Sequence, residues 1–498
     1  MKELTRRRIS TALAALLAVT AAMTSSCGSP EAGSETTAES NVTTDAPETT
    51  DPRNISDELP EKDFEGKEFT MLTEQTAMVD VDAESLNGDV INDAIYNRNQ
   101  AVADRFNAKI TVTGQQYLEG ELNPVIEKSV FAGDEEFQLV VHHAVHTSAL
   151  VLKDLLMNWY ELPYIDFSKP WWPNSTTEDL TYGDDKAIIV IGDLALSSIG
   201  GTYCYFFDKN GAADYGLENL YDVVNDGKWT LDYVMNTVKD VYKDLNGNSK
   251  QDEEDYYGLS QNLLSAVNAY YWSSGAKVIT KAKDGKLEIT VNTPKTYDII
   301  EKLYKLCYNT DGVCTQRNYT GNKADHNAAG LAFRDDLSLM TAGTLDMSIQ
   351  FFRDRKGEYG ILPYPKFDEN QENYATMADG YHSVLAIPKT ISDPEFVGII
   401  TEALNAESFK TVVPQYYEVA LKTKYTFDDE SVQILDMIVN SRVFDFGYIY
   451  DAWKGMAFYT QYMIKDEKST DFASYYASKS PASIEYYNDV FEFFDNLE

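Results

Sequence analysis

Residues 227–259 contain the pattern on which the fold prediction rests: Gly227-Lys-Trp-Thr-Leu-Asp232, a helical repeat, an acidic loop and then Tyr257-Gly-Leu259. Thr230 directly precedes the repeat and is predicted to cap a helix. Apolar side chains recur there every three or four residues, which is typical of a helix with one buried face; they are Leu231, Val234, Met235, Val238, Val241 and Tyr242. The segment therefore predicts a helix, a loop and a strand in succession.

The loop between this helix and strand resembles a calcium-binding loop. Oxygen-bearing side chains stand at loop positions 1, 3, 5, 9 and 12, a spacing that directs them to a common centre. Position 6 is Ser249 where glycine is usual, and a strand follows where a complete hand has a second helix. The loop predicts a structural Ca²⁺ site, with an acidic, solvated turn as the alternative. The predicted ligands are Asp244, Asn246, Asn248, the carbonyl of Lys250, Asp252 and Asp255.

Helix and strand patterns alternate on both sides of this segment. Helical spacing recurs over residues 90–106, and Ser392-Asp393-Pro394 is typical of a helix start. Short apolar runs between such helices predict strands at 68–72, 110–112, 137–141 and 187–191. Alternation of this kind predicts α/β layers. About 430 residues follow the predicted signal peptide and tether. This is more than one hydrophobic core normally holds, so we expect two lobes.

The first 26 residues have the pattern of a bacterial lipoprotein signal peptide. Positively charged residues precede an apolar run from Ile9 to Met23 that is too short to span a bilayer. Thr24-Ser-Ser-Cys27 resembles a lipobox, which implies that Cys27 is lipidated; an ordinary secretory peptide cut nearby is the alternative. Residues 27–62 lack the apolar side chains needed to offset ordering entropy, and they predict a disordered tether.

Charge and cysteine usage narrow the range of partners and bonds. The formal net charge of −38 would repel nucleic acid, so we expect no nucleic-acid partner. Cys307 and Cys314 flank a turn-rich loop, and an oxidising compartment would permit a disulfide between them. That disulfide is a hypothesis, with two separate thiols as the alternative. Cys204 lies in an apolar run and is predicted to be a buried thiol.

Five segments, taken in order, resemble the family 1 extracellular solute-binding proteins, the lipoprotein receptors of bacterial carbohydrate ABC transporters. They are 94–107, 162–172, 227–259, 359–366 and 385–389. The resemblance implies an α/β, two-lobe, periplasmic-binding-protein-like fold with a hinge and a ligand cleft between the lobes. The lobes would be 63–195 plus 380–415, and 200–378 plus 420–498. The chain would cross between them near 192–205, 379–383 and 413–420.

The function that this resemblance implies is binding without catalysis. The protein would be a monomeric receptor, anchored by lipid on the extracellular face of the cell membrane. It would bind a neutral mono- or oligosaccharide by hinge closure and deliver it to the permease subunits of an ABC transporter. No nucleophile elbow, phosphate loop or HExxH helix occurs in the sequence. Two alternatives stay open: a secreted carbohydrate-active enzyme and a calcium-stabilised surface adhesion module.

Candidate cleft residues follow from residue type and position. Aromatic faces pack under the C–H patches of sugars, and loops after strand ends hold ligands in α/β sheets. The aromatic candidates have an ordinary place in the core as their alternative, and the clustered histidines have a loop position with satisfied hydrogen bonds as theirs. A metal interpretation of the histidines is disfavoured because no carboxylate or cysteine stands at ligand spacing. The predicted ligand-binding residues are Trp171, Trp172, His142, His143, Tyr203, Tyr205, Phe352, Tyr381, His382 and Trp453.

Overall fold

The computed structural model of the 498-residue chain describes residues 52–283, 285–315, 318, 327–422 and 429–497. The predicted signal peptide, Cys27 and residues 27–51 of the predicted tether lie outside the described residues. Within the described ranges, no helix has the length and apolar character needed to cross a membrane. Residues 51–498 form one compact unit.

Two main sheets organise the described chain, which confirms the α/β prediction. The strands are β1 Lys67–Thr73, β2 Ala108–Thr113, β3 Leu139–His143, β4 Tyr203–Asp208, β5 Tyr242–Lys243, β6 Tyr256–Ser260, β7 Ile279–Lys281, β8 Leu287–Ile289, β9 Val313–Cys314, β10 Ser338–Thr344, β11 Tyr359–Leu362, β12 Thr376–Met377, β13 Ser383–Ala386 and β14 Arg442–Val443. The first sheet has the order β13-β3-β1-β2, and the second has the order β11-β4-β10-β6-β5 with β9 also paired to β6.

Helices cover these sheets and bury their apolar faces. The α-helices are Met78–Val81, Val90–Phe106, Leu122–Ala132, Ala144–Thr147, Asn174–Leu180, Ser197–Gly200, Lys209–Asp214, Leu220–Asn225, Leu231–Val238, Ser265–Ser273, Pro294–Tyr308, Ala328–Arg334, Met347–Gln350, Pro394–Glu407, Val413–Lys422, Asp429–Asn440, Phe446–Ile449, Tyr459–Tyr462 and Phe472–Asn496. Two predicted helix starts are confirmed: Thr230 accepts a hydrogen bond from the amide of Tyr233, and Asp393 accepts one from the amide of Phe396.

Two predicted elements differ from the structure. The helix predicted through Tyr242 ends at Val238, because Tyr242 instead pairs with Tyr257 at the edge of the second sheet. The predicted strand 187–191 is fully buried but forms only an isolated bridge between Val190 and Leu385. The segment is apolar and buried, but it pairs with a neighbouring strand at one residue only. An apolar run by itself therefore does not distinguish a strand from irregular buried backbone.

The tether prediction and the disulfide hypothesis are also corrected. Residues 52–62 pack on the folded unit: Arg105 pairs with Asp57, and Leu59 packs against the apolar cluster of the first sheet. Cys307 and Cys314 are buried thiols and form no disulfide. The Sγ of Cys307 accepts a hydrogen bond from Nε2 of Gln261 at 3.3 Å, while Cys314 is fixed on β9 by its pairing with β6.

Two connections between the sheets lie side by side, and they position the candidate site. One connection leads from the Val190 bridge to β4, and the other leads from β11 through β12 to β13. The amide of Asp379 donates to the carbonyl of Gly201 at 2.8 Å, and the amide of Ser383 donates to the hydroxyl of Ser197 at 2.9 Å. Strands β1–β3 and β13 fall in the ranges predicted for one lobe, and the other strands fall in those predicted for the other; the exact lobe boundaries stay predictions.

Candidate ligand site

A cavity of about 360 Å³ opens beside these two connections. The connections supply Tyr203, Asp379 and Tyr381, and the end of β10 supplies Thr344 with the residues that follow it. The start of the helix Ser265–Ser273 closes another side. The lining residues are Tyr203, Asn262, Leu264, Ser265, Asn327, Thr344, Asp346, Met347, Gln350, Phe351, Asp379 and Tyr381. Its volume lies within the range of small-molecule sites in proteins.

Asp346 is the centre of a hydrogen-bond network in this cavity. Its carboxylate accepts hydrogen bonds from the hydroxyl of Tyr381 at 2.7 Å, the hydroxyl of Thr344 at 2.5 Å and Nε2 of Gln350 at 2.7 Å. Burial raises the pKa of Asp346, and the nearby carboxylate of Asp379 raises it further. The network fixes the position of the half-exposed Tyr381 ring at the cavity wall.

Asp379 holds the other tyrosine of the cavity. Its Oδ2 accepts a hydrogen bond from the hydroxyl of Tyr203 at 2.8 Å, and its Oδ1 accepts one from the amide of Tyr381 at 3.2 Å. Gly201 lies against the ring of Tyr381, because a Cβ at position 201 would lie only 3.3 Å from that ring. The two predicted residues Tyr203 and Tyr381 are thus brought together, each on an acidic partner.

A second group of predicted residues meets at the end of β3. Trp453 is 50% exposed, and it stacks on Phe458 with ring centroids 5.4 Å apart. Its indole N–H donates to Nδ1 of His146 at 3.3 Å, and its ring lies 6.0 Å from that of His143. Ala452 and Trp453 both adopt left-handed backbone conformations, with φ of 46° and 61°. The turn therefore presents a large aromatic face to solvent at a conformational cost.

The structure adds a carboxylate that the sequence did not place near the histidines. Nε2 of His143 and Nε2 of His146 lie 3.5 and 3.6 Å from Oε1 of Glu119, a grouping compact enough for a metal ion. However, each Nδ1 accepts an N–H, from the amide of Val145 and from the indole of Trp453. Each neutral ring therefore carries its proton on Nε2, the nitrogen that faces Glu119. A histidine that bound a metal at this point would need Nε2 unprotonated and its proton on Nδ1. The geometry therefore favours N–H donors facing Glu119 over a metal centre.

Burial keeps these two imidazoles neutral. It lowers the pKa of His143 well below its usual value, and the neighbouring rings of His146 and His142 lower it further. Burial and His142 also lower the pKa of His146, against the opposing effect of Glu119. The two imidazoles are therefore uncharged hydrogen-bond donors beside Trp453.

Trp171 and Trp172 are core residues, so their predicted place in the cleft is wrong. Both side chains are almost fully buried. Their indole N–H groups donate to the two oxygens of Glu402, at 2.8 Å from Trp171 to Oε1 and at 3.0 Å from Trp172 to Oε2. Adjacent tryptophans face one core here because a single buried carboxylate satisfies both polar groups.

Four further predicted residues are also buried away from the cavity. The structure places each of them in the packed interior, because its polar or aromatic group has partners there. Tyr205 hydrogen-bonds Tyr270, Phe352 packs on Phe206 and Phe333, His382 contacts the carbonyl of Asp379 through Nδ1, and His142 contacts Asn123 and Glu74. Burial lowers the pKa of His382 to about 4, so it is neutral.

Sequence reasoning missed Asp346 and Thr344. Asp346 follows β10 by two residues, and loops after strand ends are where α/β sheets hold ligands. The same rule led the sequence prediction to Phe352, whereas Gln350 and Phe351 line the cavity. Assigning a strand to 338–344 would have pointed to Asp346.

Comparison with protein-family models and with curated proteins gives no match. Solved structures do share the architecture. The maltose/maltodextrin-binding domain from Bdellovibrio bacteriovorus, bound to maltotriose, matches at 12% identity and TM-score 0.52 over 85% of this chain and 99% of that one. A cyclo/maltodextrin-binding protein complexed with maltotetraose matches at 14% identity and TM-score 0.52 over 87% and 98%.

A third match is an ABC transporter solute-binding protein from Thermotoga lettingae bound with alpha-D-tagatose, at 13% identity and TM-score 0.51 over 85% of this chain and all of that one. These identities are low, so the likeness establishes architecture, and it extends over nearly the full length of each relative. The chain therefore has the α/β, two-lobe fold of the solute-binding proteins of ABC transporters.

Proposed function

We propose that this protein is a receptor that binds a saccharide between its lobes and delivers it to an ABC permease, without catalysing a reaction. The observation that carries the proposal is the cavity at the two connections, with tyrosines held on Asp346 and Asp379. Relatives of the same fold were solved with maltotriose, maltotetraose and tagatose. The half-exposed Trp453 adds an aromatic face suited to a sugar ring.

In this proposal, each group has a defined task. The carboxylates of Asp346 and Asp379 accept hydrogen bonds from ligand hydroxyls, and the Tyr381 ring covers an apolar sugar face. Ligand contacts that join both sides of the cleft favour the closed arrangement, because a ligand shifts a conformational equilibrium only through its different affinity for the two states. The closed form is then the one recognised by the permease.

Thermal unfolding of residues 51–498 against mono- and oligosaccharides tests the proposal. A saccharide that binds only the folded state must raise the midpoint temperature of unfolding. At a saccharide concentration of about a hundred times Kd, it adds about 2.7 kcal/mol to the free energy of unfolding. We expect such a shift from at least one saccharide, recovered intact afterwards. A saccharide that is consumed would instead support the secreted carbohydrate-active enzyme, and no shift with any saccharide would contradict the receptor proposal.

The proposal also places a structural Ca²⁺ in the loop 244–255. Gly247 and Ser249 have φ of 73° and 59°, which turns the loop tightly enough for its side chains to converge. The amide groups of Asn246 and Asn248 both point at the carboxylate of Asp252, at 3.2 and 2.6 Å. Asp244, Asn246, Asn248, the carbonyl of Lys250, Asp252 and Asp255 would hold the ion, which would join the loop to the second sheet.

We expect Ca²⁺ to raise the unfolding midpoint of residues 51–498, and we expect Asp244→Ala to abolish that rise. Asp244 is the informative position because its two oxygens already accept hydrogen bonds from the amides of Gly247 and Ser249. Asp226→Ala, at an exposed acidic residue outside the loop, is the matched control. A midpoint that does not respond to Ca²⁺ in the unaltered protein would make the loop an ordinary acidic turn. A response to Ca²⁺ without any saccharide binding would favour the adhesion module.

Anchoring through Cys27 completes the proposal and places the receptor on the extracellular face of the membrane. The basic segment, the short apolar run and the small residues before Cys27 support it. Expression of the full chain with Cys27→Ser should move the protein from the membrane fraction to the soluble secreted fraction. Retention of that variant in the membrane fraction would contradict a lipid anchor at this residue.

A further inference from the structure

The cavity directs its own neutral donors at its two carboxylates. The hydroxyls of Tyr381 and Thr344 and the amide of Gln350 donate to Asp346, and the hydroxyl of Tyr203 donates to Asp379. The hydroxyl of Ser265 is in turn hydrogen-bonded to Tyr203. These five side chains therefore offer a ligand mainly oxygen lone pairs. Each hydroxyl has one proton to donate, and that proton is already used within the cavity.

The charge of the cavity has one sign. Asp346 and Asp379 are its charged lining residues, and neither lysine nor arginine lines it within the described ranges. Burial raises the pKa of Asp346, and the nearby carboxylate of Asp379 raises it further. A positive charge between them would relieve this repulsion.

We propose that the saccharide bound here carries a protonated amine, as a hexosamine unit does. This inference rests on the proposed receptor function and narrows its ligand class from neutral to amino sugars. An ammonium group brings three N–H donors and no acceptor, which complements a cavity of lone pairs. Its hydrogen bonds to carboxylates join two opposite charges, which adds a Coulomb attraction that a neutral sugar hydroxyl lacks. Uronic acids and sugar phosphates add negative charge and acceptors, so the same cavity rejects them.

Isothermal calorimetry with matched saccharides tests this ligand class. The probes are glucosamine, glucose, N-acetylglucosamine and glucuronic acid, together with the β-1,4-linked disaccharides of the first three. We expect an amine-bearing probe to bind residues 51–498 at least tenfold more tightly than its neutral counterparts, about 1.4 kcal/mol, with no binding of glucuronic acid. Added salt should weaken the amine probe and leave the neutral probes unaffected.

Isosteric variants assign the preference to the carboxylates. Asp379→Asn and Asp346→Asn should each reduce the ratio of amine to neutral affinity about tenfold, while Asp298→Asn, at an exposed residue of the helix Pro294–Tyr308, should leave the ratio unchanged. If either variant fails to fold, the salt dependence of the unaltered protein still decides the question. Neutral probes that bind as tightly as the amine would overturn this inference alone. Absence of binding by every saccharide would overturn it together with the receptor proposal.

Discussion

Replacing Glu402 with leucine is expected to lower the free energy of unfolding by roughly 3 to 5 kcal/mol. The substitution leaves the indole N–H groups of Trp171 and Trp172, and the amide of Asp166, without the acceptor they share in the core. Each buried donor without a partner costs about 1–3 kcal/mol. Denaturant unfolding of residues 51–498 measures the change. Glu395→Gln, at an exposed ion pair of the same helix, is the control and should cost less than about 1 kcal/mol.

The same carboxyl group gives the protein a pH-dependent stability. Burial raises the pKa of Glu402 from 4.5 to about 8, against the lowering effect of its hydrogen bonds. Between these two values the folded state holds a proton that the unfolded state has released. The free energy of unfolding therefore falls as pH rises through this window, by at most about 1.4 kcal/mol per unit.

Glu402→Gln removes that titration and isolates it. Glutamine keeps one acceptor oxygen, so this variant should be less stable than the unaltered protein but more stable than the leucine variant. The stability difference between the unaltered protein and Glu402→Gln should shrink as pH rises from 4.5 to 8. Parallel pH profiles for the two proteins would show that Glu402 does not titrate in this range, and a leucine variant as stable as Glu395→Gln would contradict its role in the core.

Replacing Trp453 with alanine is expected to weaken saccharide binding about 10- to 100-fold with little loss of stability. Burying an apolar face of a sugar ring on a large aromatic side chain contributes about 1.5–3 kcal/mol, and each 1.4 kcal/mol is tenfold in Kd. The indole is 50% exposed, so its removal leaves the core intact. Phe131→Ala, at a residue that is 72% exposed in another part of the structure, is the aromatic control. Equal affinity of Trp453→Ala and Phe131→Ala for the bound saccharide would exclude Trp453 from the site.

Glycine at position 453 separates the backbone cost from the binding role. A left-handed conformation costs a residue with a side chain about 1–2 kcal/mol, whereas glycine adopts it freely but loses more entropy on folding. Trp453→Gly should therefore be about 0.5–1 kcal/mol more stable than Trp453→Ala, with the same weakened binding. An alanine variant that is the more stable of the two would mean that the turn relaxes once the indole is gone.

The helix starts at Thr230 and Asp393, the long helix 90–106 and strands β1–β3 could be predicted because their determinants are local. A cap residue lies within three positions of the amide it binds, and the spacing of apolar residues follows directly from the periodicity of the element. The order of the five resembling segments led to the same two-lobe fold that the solved structures share. Tyr203 and Tyr381 were predicted at the cleft because the chain was expected to cross between the lobes there. Trp453 was predicted on a late helix, whereas it lies in a turn.

The tertiary structure alone decided which aromatic residues face solvent and which carboxylates meet. Adjacent tryptophans are suited to packing under a sugar ring, yet Trp171 and Trp172 are buried. Both donate hydrogen bonds to Glu402, which lies 230 residues after Trp172. Asp346 follows β10, and Asp379 lies between β12 and β13. The two residues meet only because both segments reach the same cavity. Glu119 reaches the histidines in the same way. Pairing across such distances depends on how the sheets fold back on each other, and no local pattern in the sequence records it.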